Sequence, residues 1–232
     1  MRAKLMTIPG CLALLTAAIT AAGQARGPSA NIGGAPPALA LVILYDGSGS
    51  MADRVPNLSG VPTPKYQLAN NAVTTIAQKM ENYCTNKHVT MDAGLIYFTQ
   101  ATVKVGIPFQ QFQARRFEDW ARNFKSPAGG TPLGEGIKEA NKMLAMSHAI
   151  KKHILIVTDG ESNQGETPQA VLARMKSAQD STSIYFVAFD VSAKVFDPVK
   201  KLGATVVSAA NEKELKTEID SLLGKKILLE SE

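Results

Sequence analysis

Residues 39–45 (LALVILY) form a continuous apolar run that is followed at once by a polar, glycine-rich segment, DGSGS at residues 46–50. A strand with one face in solvent shows polar side chains at every second position, and this run has none. The pattern is typical of a strand that is buried on both faces, as in parallel sheets covered by helices on each side. The run therefore predicts an α/β protein.

The rest of the chain mostly alternates between strand-like and helical patterns. Further strands are predicted at residues 89–99, 102–107, 153–158, 183–189 and 204–208, and helices at 64–82, 112–124, 133–146, 167–179 and 211–224. The strands at 89–99 and 102–107 are separated by a tight connection, which predicts an antiparallel pair at one edge. The last helix has a start signal, because Asn211 and Glu214 match a capping box. Buried strands separated by amphipathic helices favour a doubly wound, mostly parallel sheet with helices on both faces.

The N-terminal residues have the pattern of an export signal. Arg2 and Lys4 precede an apolar core at residues 12–22, and small residues follow it, with cleavage expected after Ala25. A retained anchor is the alternative, but the apolar core is much shorter than the roughly 20 residues that span a bilayer. We expect a signal peptide at residues 1–25, a flexible leader at 26–37, one domain at 38–224 and a tail at 225–232. The mature protein is thus expected to be periplasmic or secreted, without stable membrane insertion.

Charge and cysteine content exclude several classes of protein. Loss of Arg2 and Lys4 with the signal would lower the formal net charge from +5 to +3. No cluster of basic and aromatic residues stands out, so a nucleic-acid partner is not expected. The mature chain would keep Cys84 alone, which cannot form a disulfide within the chain. The fold must therefore depend on its core, and Cys84 is interpreted as a buried apolar residue.

Three polar clusters lie at predicted strand or helix ends, and together they offer carboxylates and hydroxyls. They are residues 46–50 (DGSGS), 129–132 (GGTP) and 158–160 (TDG). Each alone is an ordinary turn sequence. In an open α/β sheet, however, loops at the carboxyl ends of the strands form the binding crevice. Hard oxygen donors suit Mg²⁺, Mn²⁺ or Ca²⁺ rather than Zn²⁺.

These clusters resemble the metal-ion-dependent adhesion site of the von Willebrand factor type A domain. The matching segments are Asp46-Gly47-Ser48-Gly49-Ser50-Met51, Gly130-Thr131-Pro132-Leu133 and Thr158-Asp159-Gly160. The resemblance covers residues 38–224 and implies a six-stranded sheet, with five parallel strands and one antiparallel edge strand, between two helical layers. It also implies that Ser48 and Ser50 bind a metal ion directly; Mg²⁺ is expected, with Mn²⁺ or Ca²⁺ as alternatives. Thr131 would bind directly or through water, while Asp46 and Asp159 would hold coordinating waters.

In that family an acidic side chain of the ligand completes the coordination of the ion. The resemblance thus implies a protein-binding module whose partner supplies Asp or Glu. We expect a role in assembly or scaffolding of an exported complex, with adhesion to a cell surface or matrix as the alternative. Between Met51 and the helix near Pro64 the chain is longer than a tight link, and Asp53 and Arg54 in this loop are candidates for partner selection. A tolerated surface insertion is the equal alternative.

Two enzyme classes have weaker support in the sequence. A hydrolase nucleophile elbow needs Gly-x-Ser-x-Gly, whereas the positions two away from Ser48 are Asp46 and Ser50. A phosphotransferase that uses Asp46 as nucleophile would be expected to carry a second carboxylate two residues later, where Ser48 stands. No general base is evident beside the predicted metal site. The chain is therefore expected to bind rather than to catalyse.

Overall fold

The computed structural model describes residues 37–229, so the predicted signal peptide and nearly all of the predicted leader lie outside the described residues. The strands, in chain order, are β1 Leu39–Asp46, β2 Arg54–Pro56, β3 Pro62–Pro64, β4 Met91–Thr99, β5 Thr102–Gln111, β6 Lys151–Thr158, β7 Ser183–Phe189 and β8 Thr205–Ala209. The helices are α1 Lys65–Lys87, α2 Ala114–Asn123, α3 Leu133–Ala145, α4 Pro168–Ser177, α5 Asp197–Lys200 and α6 Glu212–Leu222.

Six of the strands form one sheet in the order β5-β4-β1-β6-β7-β8. β1 is central and pairs in parallel with β4 on one side and β6 on the other, so that Asp46 lies opposite Phe98 and Tyr45 opposite Val157. β5 pairs antiparallel with β4 and forms one edge, while the remaining pairs are parallel. The predicted fold class, a mostly parallel sheet with one antiparallel edge strand, is confirmed.

The two faces of β1 enter two separate hydrophobic cores. Leu41, Ile43 and Tyr45 pack with the buried faces of α1, α2 and α6. Val42 and Leu44 point to the other side and pack with α3, α4 and α5. All eight residues of β1 are buried, which is the physical reason for its unbroken apolar sequence.

α1 is longer than its sequence pattern predicts. The apolar residues at intervals of four end at Met80, but the helix continues to Lys87. Its last two turns are largely exposed, so they carry no core pattern from which they could be recognised. The helix ends at His88, which has a left-handed backbone (φ 54°) and donates its N–H to the Cys84 carbonyl.

The loop between Met51 and α1 folds into an antiparallel hairpin, formed by β2 and β3. The Asn57 side chain closes its tip by accepting hydrogen bonds from the Ser59 and Val61 amides, each 2.9 Å long. The Leu58 amide donates a 2.8 Å hydrogen bond to Glu212 in the first turn of α6. The hairpin is thus tied to the last helix as well as to the chain on either side of it.

The packed structure continues past the predicted end of the domain at residue 224. After α6 the chain makes a π-helical turn, Leu223–Ile227, in which Leu223 and Ile227 are fully buried. Before β8, a 3-10 turn (Ala193–Phe196) and α5 bury Phe196 and Val199, and neither element has a sequence pattern long enough to predict. Across residues 37–229, no helix combines the length and apolarity needed to cross a membrane.

Candidate metal centre

Each of the three polar clusters occupies a loop at the same edge of the sheet. Asp46 is the last residue of β1, and Asp159 directly follows β6, which is its parallel neighbour. Ser50 lies in a 3-10 turn, Gly49–Ala52, and Thr131 lies two residues before α3. Because the carboxyl ends of adjacent parallel strands meet at one edge, residues far apart in the chain come together there.

A chain of hydrogen bonds joins four of the five predicted metal ligands. The Ser48 amide donates to Asp46 Oδ1 over 2.8 Å. The Ser48 and Ser50 hydroxyl oxygens are 3.1 Å apart, and Ser50 donates to Asp159 Oδ1 over 2.8 Å. Two carboxylates and two hydroxyls therefore converge on one small volume, which is the donor set that a hard divalent cation prefers.

Thr131, the fifth predicted ligand, reaches this group through its loop. Its side chain is buried, and its amide donates to Asn163 Oδ1 over 2.8 Å. Two main-chain hydrogen bonds join the loop to the segment after β1: Gly49 N to Gly129 O, 2.9 Å, and Ala128 N to Gly47 O, 2.8 Å. The backbone thus holds the loop that carries Thr131 (the threonine loop) against the loop that carries Ser48 and Ser50 (the serine loop).

Close approach of these segments explains why glycine is needed at positions 47 and 129. A Cβ at Gly47 would lie 2.6 Å from the Phe98 carbonyl oxygen and 2.8 Å from the Phe124 ring. Gly129 has a positive φ of 77°, and a Cβ there would lie 2.6 Å from the Gln100 Cα. No larger residue fits at either position without movement of the backbone or of the packed ring.

Burial places Asp46 in an unusual electrostatic state. The residue is fully buried, and Thr158 donates a 2.6 Å hydrogen bond to its Oδ2. Loss of solvent, followed by the nearby charge of Asp159, raises the pKa of Asp46 to about 6, although hydrogen bonds from Ser48 and Thr158 act in the opposite direction. A carboxylate in this state gains from a nearby cation, so the donor set and its electrostatics both fit a divalent metal ion.

Lys65 is a charged neighbour of this site that the sequence analysis did not identify. Its Nζ lies 2.7 Å from Asp159 Oδ2, 3.4 Å from Asp190 Oδ2 and 3.9 Å from Asp53 Oδ2. Burial lowers the pKa of Lys65, but its interactions with Asp159 and Asp190 outweigh burial and leave the pKa above its usual value. One signal was available: a lysine at the first position of a helix opposes the helix dipole and calls for a compensating acid.

An aromatic cluster borders the site on the α2 side. Phe124 stacks on Trp120 with ring centroids 5.3 Å apart and meets Tyr45 edge-on at 5.1 Å. Trp120 and Phe124 pack against the hydrophobic core on this side of the sheet. The Phe124 ring also lies against Gly47, next to the serine loop.

Neither Cys84 nor His153 belongs to the site. Cys84 is half-buried against the core, and burial together with Glu81 raises the pKa of its thiol, which keeps it protonated. His153 is buried in β6, close to Tyr185. Cys84 is thus less buried than the sequence interpretation expected, although it packs against the core.

A central parallel sheet with one antiparallel edge, helices on both faces and a three-loop polar site at the carboxyl ends of its strands defines a class of α/β domains. The model of the von Willebrand factor type A domain matches residues 40–219 of this chain, and the chain belongs to that family. The family resemblance predicted from the three motifs is therefore confirmed.

Comparison with individual proteins gives the same fold at low sequence identity. The chain is 21% identical over 204 residues to an uncharacterized Bacillus subtilis protein, YwmD, with 85% of this chain and 86% of YwmD covered. The von Willebrand factor domain of the type V pili tip protein Mfa5 from Porphyromonas gingivalis superposes with a TM-score of 0.66 at 14% identity, covering 86% of this chain and 98% of that one. The minor pilin PilB from Streptococcus sanguinis gives 0.66 at 14% identity, covering 85% and 63%.

Proposed function

We propose that this chain is an exported protein-binding module that holds a divalent cation, Mg²⁺ first, and uses it to accept a carboxylate from a partner protein. The observation that carries the proposal is the convergence of the Ser48 and Ser50 hydroxyls with two buried carboxylates. Asp46, Ser48, Ser50, Thr131 and Asp159 would hold the ion and its waters. When bound, the ion supplies a Lewis-acidic position for an anionic oxygen.

The charge of the site supports an acidic ligand. Mg²⁺ seeks six oxygen ligands and keeps waters when few carboxylates are available. This site offers two carboxylates and hydroxyl groups, which leaves part of the coordination shell exchangeable. An Asp or Glu side chain of a partner is a stronger ligand than water for such a position, and its charge is matched by the ion.

We propose a binding role and not an enzymatic one. Turnover would need a general base within hydrogen-bond reach of the reacting group. The titratable side chains closest to the serines are Asp46 and Asp159, and both already accept hydrogen bonds within the site. These contacts suit two residues that orient ligands and waters.

Two settings suit such a module. One is assembly or scaffolding of an exported complex, in which the ion bridges to a defined partner. The other is adhesion, which the likeness to a pilus tip protein and a minor pilin favours. The hairpin formed by β2 and β3, with Asp53 at its base and Arg54 on its first strand, is the proposed element of partner selection in either setting.

Titration calorimetry of the chain from residue 26 with Mg²⁺, Mn²⁺ and Ca²⁺ tests the metal site. We expect binding that is lost in a Ser48→Ala/Ser50→Ala variant whose circular dichroism is unchanged. The matched control is Ser177→Ala/Ser181→Ala, two exposed serines remote from the predicted ligands in sequence, which should bind like the unsubstituted protein. Binding that survives in the Ser48/Ser50 variant would contradict the proposed ligands.

A capture experiment then distinguishes the two settings. Proteins from the exported fraction are retained with Mg²⁺ and released with a chelator, using the same variants. Recovery of one defined soluble partner indicates assembly, and recovery of surface or matrix material indicates adhesion. Retention that is indifferent to both chelator and the Ser48/Ser50 substitutions would contradict a metal-bridged partner.

A further inference from the structure

Lys65 is surrounded by carboxylates that come from three different parts of the fold. Asp159 belongs to the loop after β6, Asp190 follows β7, and Asp53 precedes β2. The lysine side chain is only 5% exposed and Asp159 is fully buried, whereas Asp190 and Asp53 are 42% and 74% exposed. The ammonium group therefore has its shortest and most buried contact, 2.7 Å, with the predicted metal-site residue Asp159.

The position of this lysine is energetically unfavourable for an ammonium group unless nearby negative charges compensate. It is the first residue of α1, where the helix dipole disfavours a cation. An ammonium group is also strongly hydrated, and burial removes most of that hydration. Its ion pairs compensate for both costs, so the negative charge of the loops is what holds the ammonium at this place.

The ammonium changes the charge that a metal ion would meet. Asp190 and Asp53 are exposed enough for solvent to screen their charges. The charges nearest a bound ion are therefore those of Asp46, Asp159 and Lys65. Asp46 and Asp159 together carry two negative charges when both are ionised, and Lys65 cancels one of them by its contact with Asp159. A divalent ion held by this set is left with a net positive charge. Without the lysine, the same ion would be fully neutralised by the two carboxylates. Repulsion between ammonium and metal ion also weakens binding of the ion alone.

We propose that Lys65 is a tethered cation that lowers the affinity of the metal site for the free ion and makes tight metal binding depend on a carboxylate from the partner. This inference rests on the proposed function and adds a coupling to it: ion and partner carboxylate strengthen each other. Such coupling is reciprocal, because each ligand must change the affinity of the other by the same factor. A module built this way holds its ion firmly only when the partner is present.

A purely structural role of Lys65 predicts the opposite effect of its removal on metal affinity. If the lysine only positioned Asp159, its removal would disturb a predicted ligand and weaken metal binding. If it acts as a tethered cation, its removal strengthens binding of the ion alone. The sign of the change therefore separates the two roles.

Titration with Mg²⁺, with and without acetate at constant ionic strength, is the test. In Lys65→Met, which keeps much of the apolar stem and removes the charge, we expect Mg²⁺ affinity to rise by about tenfold or more. The factor by which acetate enhances Mg²⁺ affinity should fall toward one. Lys65→Arg keeps the charge and should restore both the affinity and the acetate effect. The control is Lys79→Met, which removes an ammonium paired at 3.2 Å with Asp220 away from the site.

Weaker or unchanged Mg²⁺ binding by a folded Lys65→Met protein would overturn the inference. Should that variant not fold, Asp190→Asn provides the test, because Asp190 is the second-closest carboxylate to the ammonium, at 3.4 Å, and its loss leaves the ammonium to Asp159. Its loss should lower Mg²⁺ affinity several-fold, whereas Asp197→Asn, which removes an exposed carboxylate paired with Lys200, should not. Equal affinity in these two variants would then overturn it.

The same titrations separate this inference from the proposed function. If the unsubstituted protein does not bind Mg²⁺ but Lys65→Met does, the lysine has the inferred effect, and the native site is not a metal site on its own. If neither binds, both proposals fail. If the unsubstituted protein binds and Lys65→Met binds no better, the proposed function stands and the inference fails.

Discussion

His153 is a buried titratable side chain in β6, away from the candidate metal site. Its ring centroid is 5.9 Å from that of Tyr185, and its Nδ1 lies 3.5 Å from the tyrosine hydroxyl oxygen. Burial, and then the positive charge of Lys151, lowers the pKa of His153 to about 4. The folded protein therefore keeps this histidine neutral well below the pH at which an unfolded chain protonates it.

We expect this histidine to make the fold sensitive to mild acid. An unfolded histidine binds a proton near pH 6.5, so between about pH 6.5 and 4 the unfolded state holds more protons and the free energy of unfolding falls as the pH is lowered. At pH 5 the loss attributable to His153 is about 2 kcal/mol relative to pH 7. Urea unfolding of the metal-free protein and of His153→Leu at both pH values measures it.

The effect of His153 must be measured as a difference between variants, because protonation of Asp46 changes the free energy of unfolding in the opposite direction as the pH falls. Its raised pKa means that the folded state holds an extra proton between about pH 4 and 6, which adds stability as the pH falls. The Leu variant should thus lose less stability in acid than the unsubstituted protein. His148→Leu, at an exposed position, is the control and should behave like the unsubstituted protein. An unchanged acid response in His153→Leu would refute the assignment.

The sequence predicts five candidate ligand residues but not Lys65, their charged neighbour. The three polar clusters could be recognised because each stands at a predicted strand or helix end, and such ends share one edge of the sheet. The family resemblance then implied the individual residues Asp46, Ser48, Ser50, Thr131 and Asp159. The structure brings them together. Lys65 could not be placed in the same way, since its ion pairs depend on how the hairpin positions the start of α1 relative to Asp159 and Asp190.

The hairpin formed by β2 and β3 shows how an apparent insertion becomes a structured element. At its base, the Lys65 amide donates to the Asp53 carbonyl over 2.8 Å. At its tip, Glu212 accepts hydrogen bonds from the Leu58 amide at 2.8 Å and from the Asn71 side chain at 3.3 Å. One carboxylate at the start of α6 therefore connects the hairpin, α1 and the last helix.

We expect Glu212→Ala to free the tip of the hairpin while leaving the rest of the fold intact. Loss of an exposed hydrogen bond to a carboxylate should lower the free energy of unfolding by no more than about 1 kcal/mol. Exchange of the Leu58 amide hydrogen should become clearly faster, as followed by hydrogen exchange. Lys216→Ala, an exposed substitution one turn further along α6, should leave that amide unchanged. Equal exchange in both variants would show that Glu212 does not hold the hairpin.

Element boundaries were predictable wherever the core imposed a pattern. β7 was predicted at its observed residues, and β1, β4 and β6 to within two residues at each end, because burial on both faces leaves a continuous apolar signature. The predicted cap of α6 forms with one change: Asn211 accepts from the Glu214 amide at 3.0 Å, while the Glu214 carboxylate accepts from the Ala210 amide at 2.9 Å instead of from the Asn211 backbone amide. The exposed end of α1 and the four residues of α5 were missed, since neither length nor periodicity distinguishes them from a loop.

For the molecule as a whole, a bound metal ion should raise stability through mass action. An ion that binds only the folded state stabilises it by about 2.7 kcal/mol at a concentration one hundred times its dissociation constant. We expect the melting temperature to rise with added Mg²⁺ and to return with a chelator. The melting temperature of Ser48→Ala/Ser50→Ala should not change with Mg²⁺, whereas that of Ser177→Ala/Ser181→Ala should rise as in the unsubstituted protein. A rise of equal size in both variants would indicate weak binding elsewhere on the surface.

Four main-chain hydrogen bonds hold the metal-site loops together: Gly47 N to Phe98 O, Gly49 N to Gly129 O, Ala128 N to Gly47 O and Gln100 N to Ala128 O. None of them depends on the identity of a side chain, provided that the glycines are kept. Substitutions in the exposed hairpin formed by β2 and β3 should therefore leave these four bonds in place, provided that Asn163, which accepts from the Thr131 amide, is also kept. If the proposed metal bridge is borne out by the calorimetry, variants of this hairpin would give binders that a chelator releases.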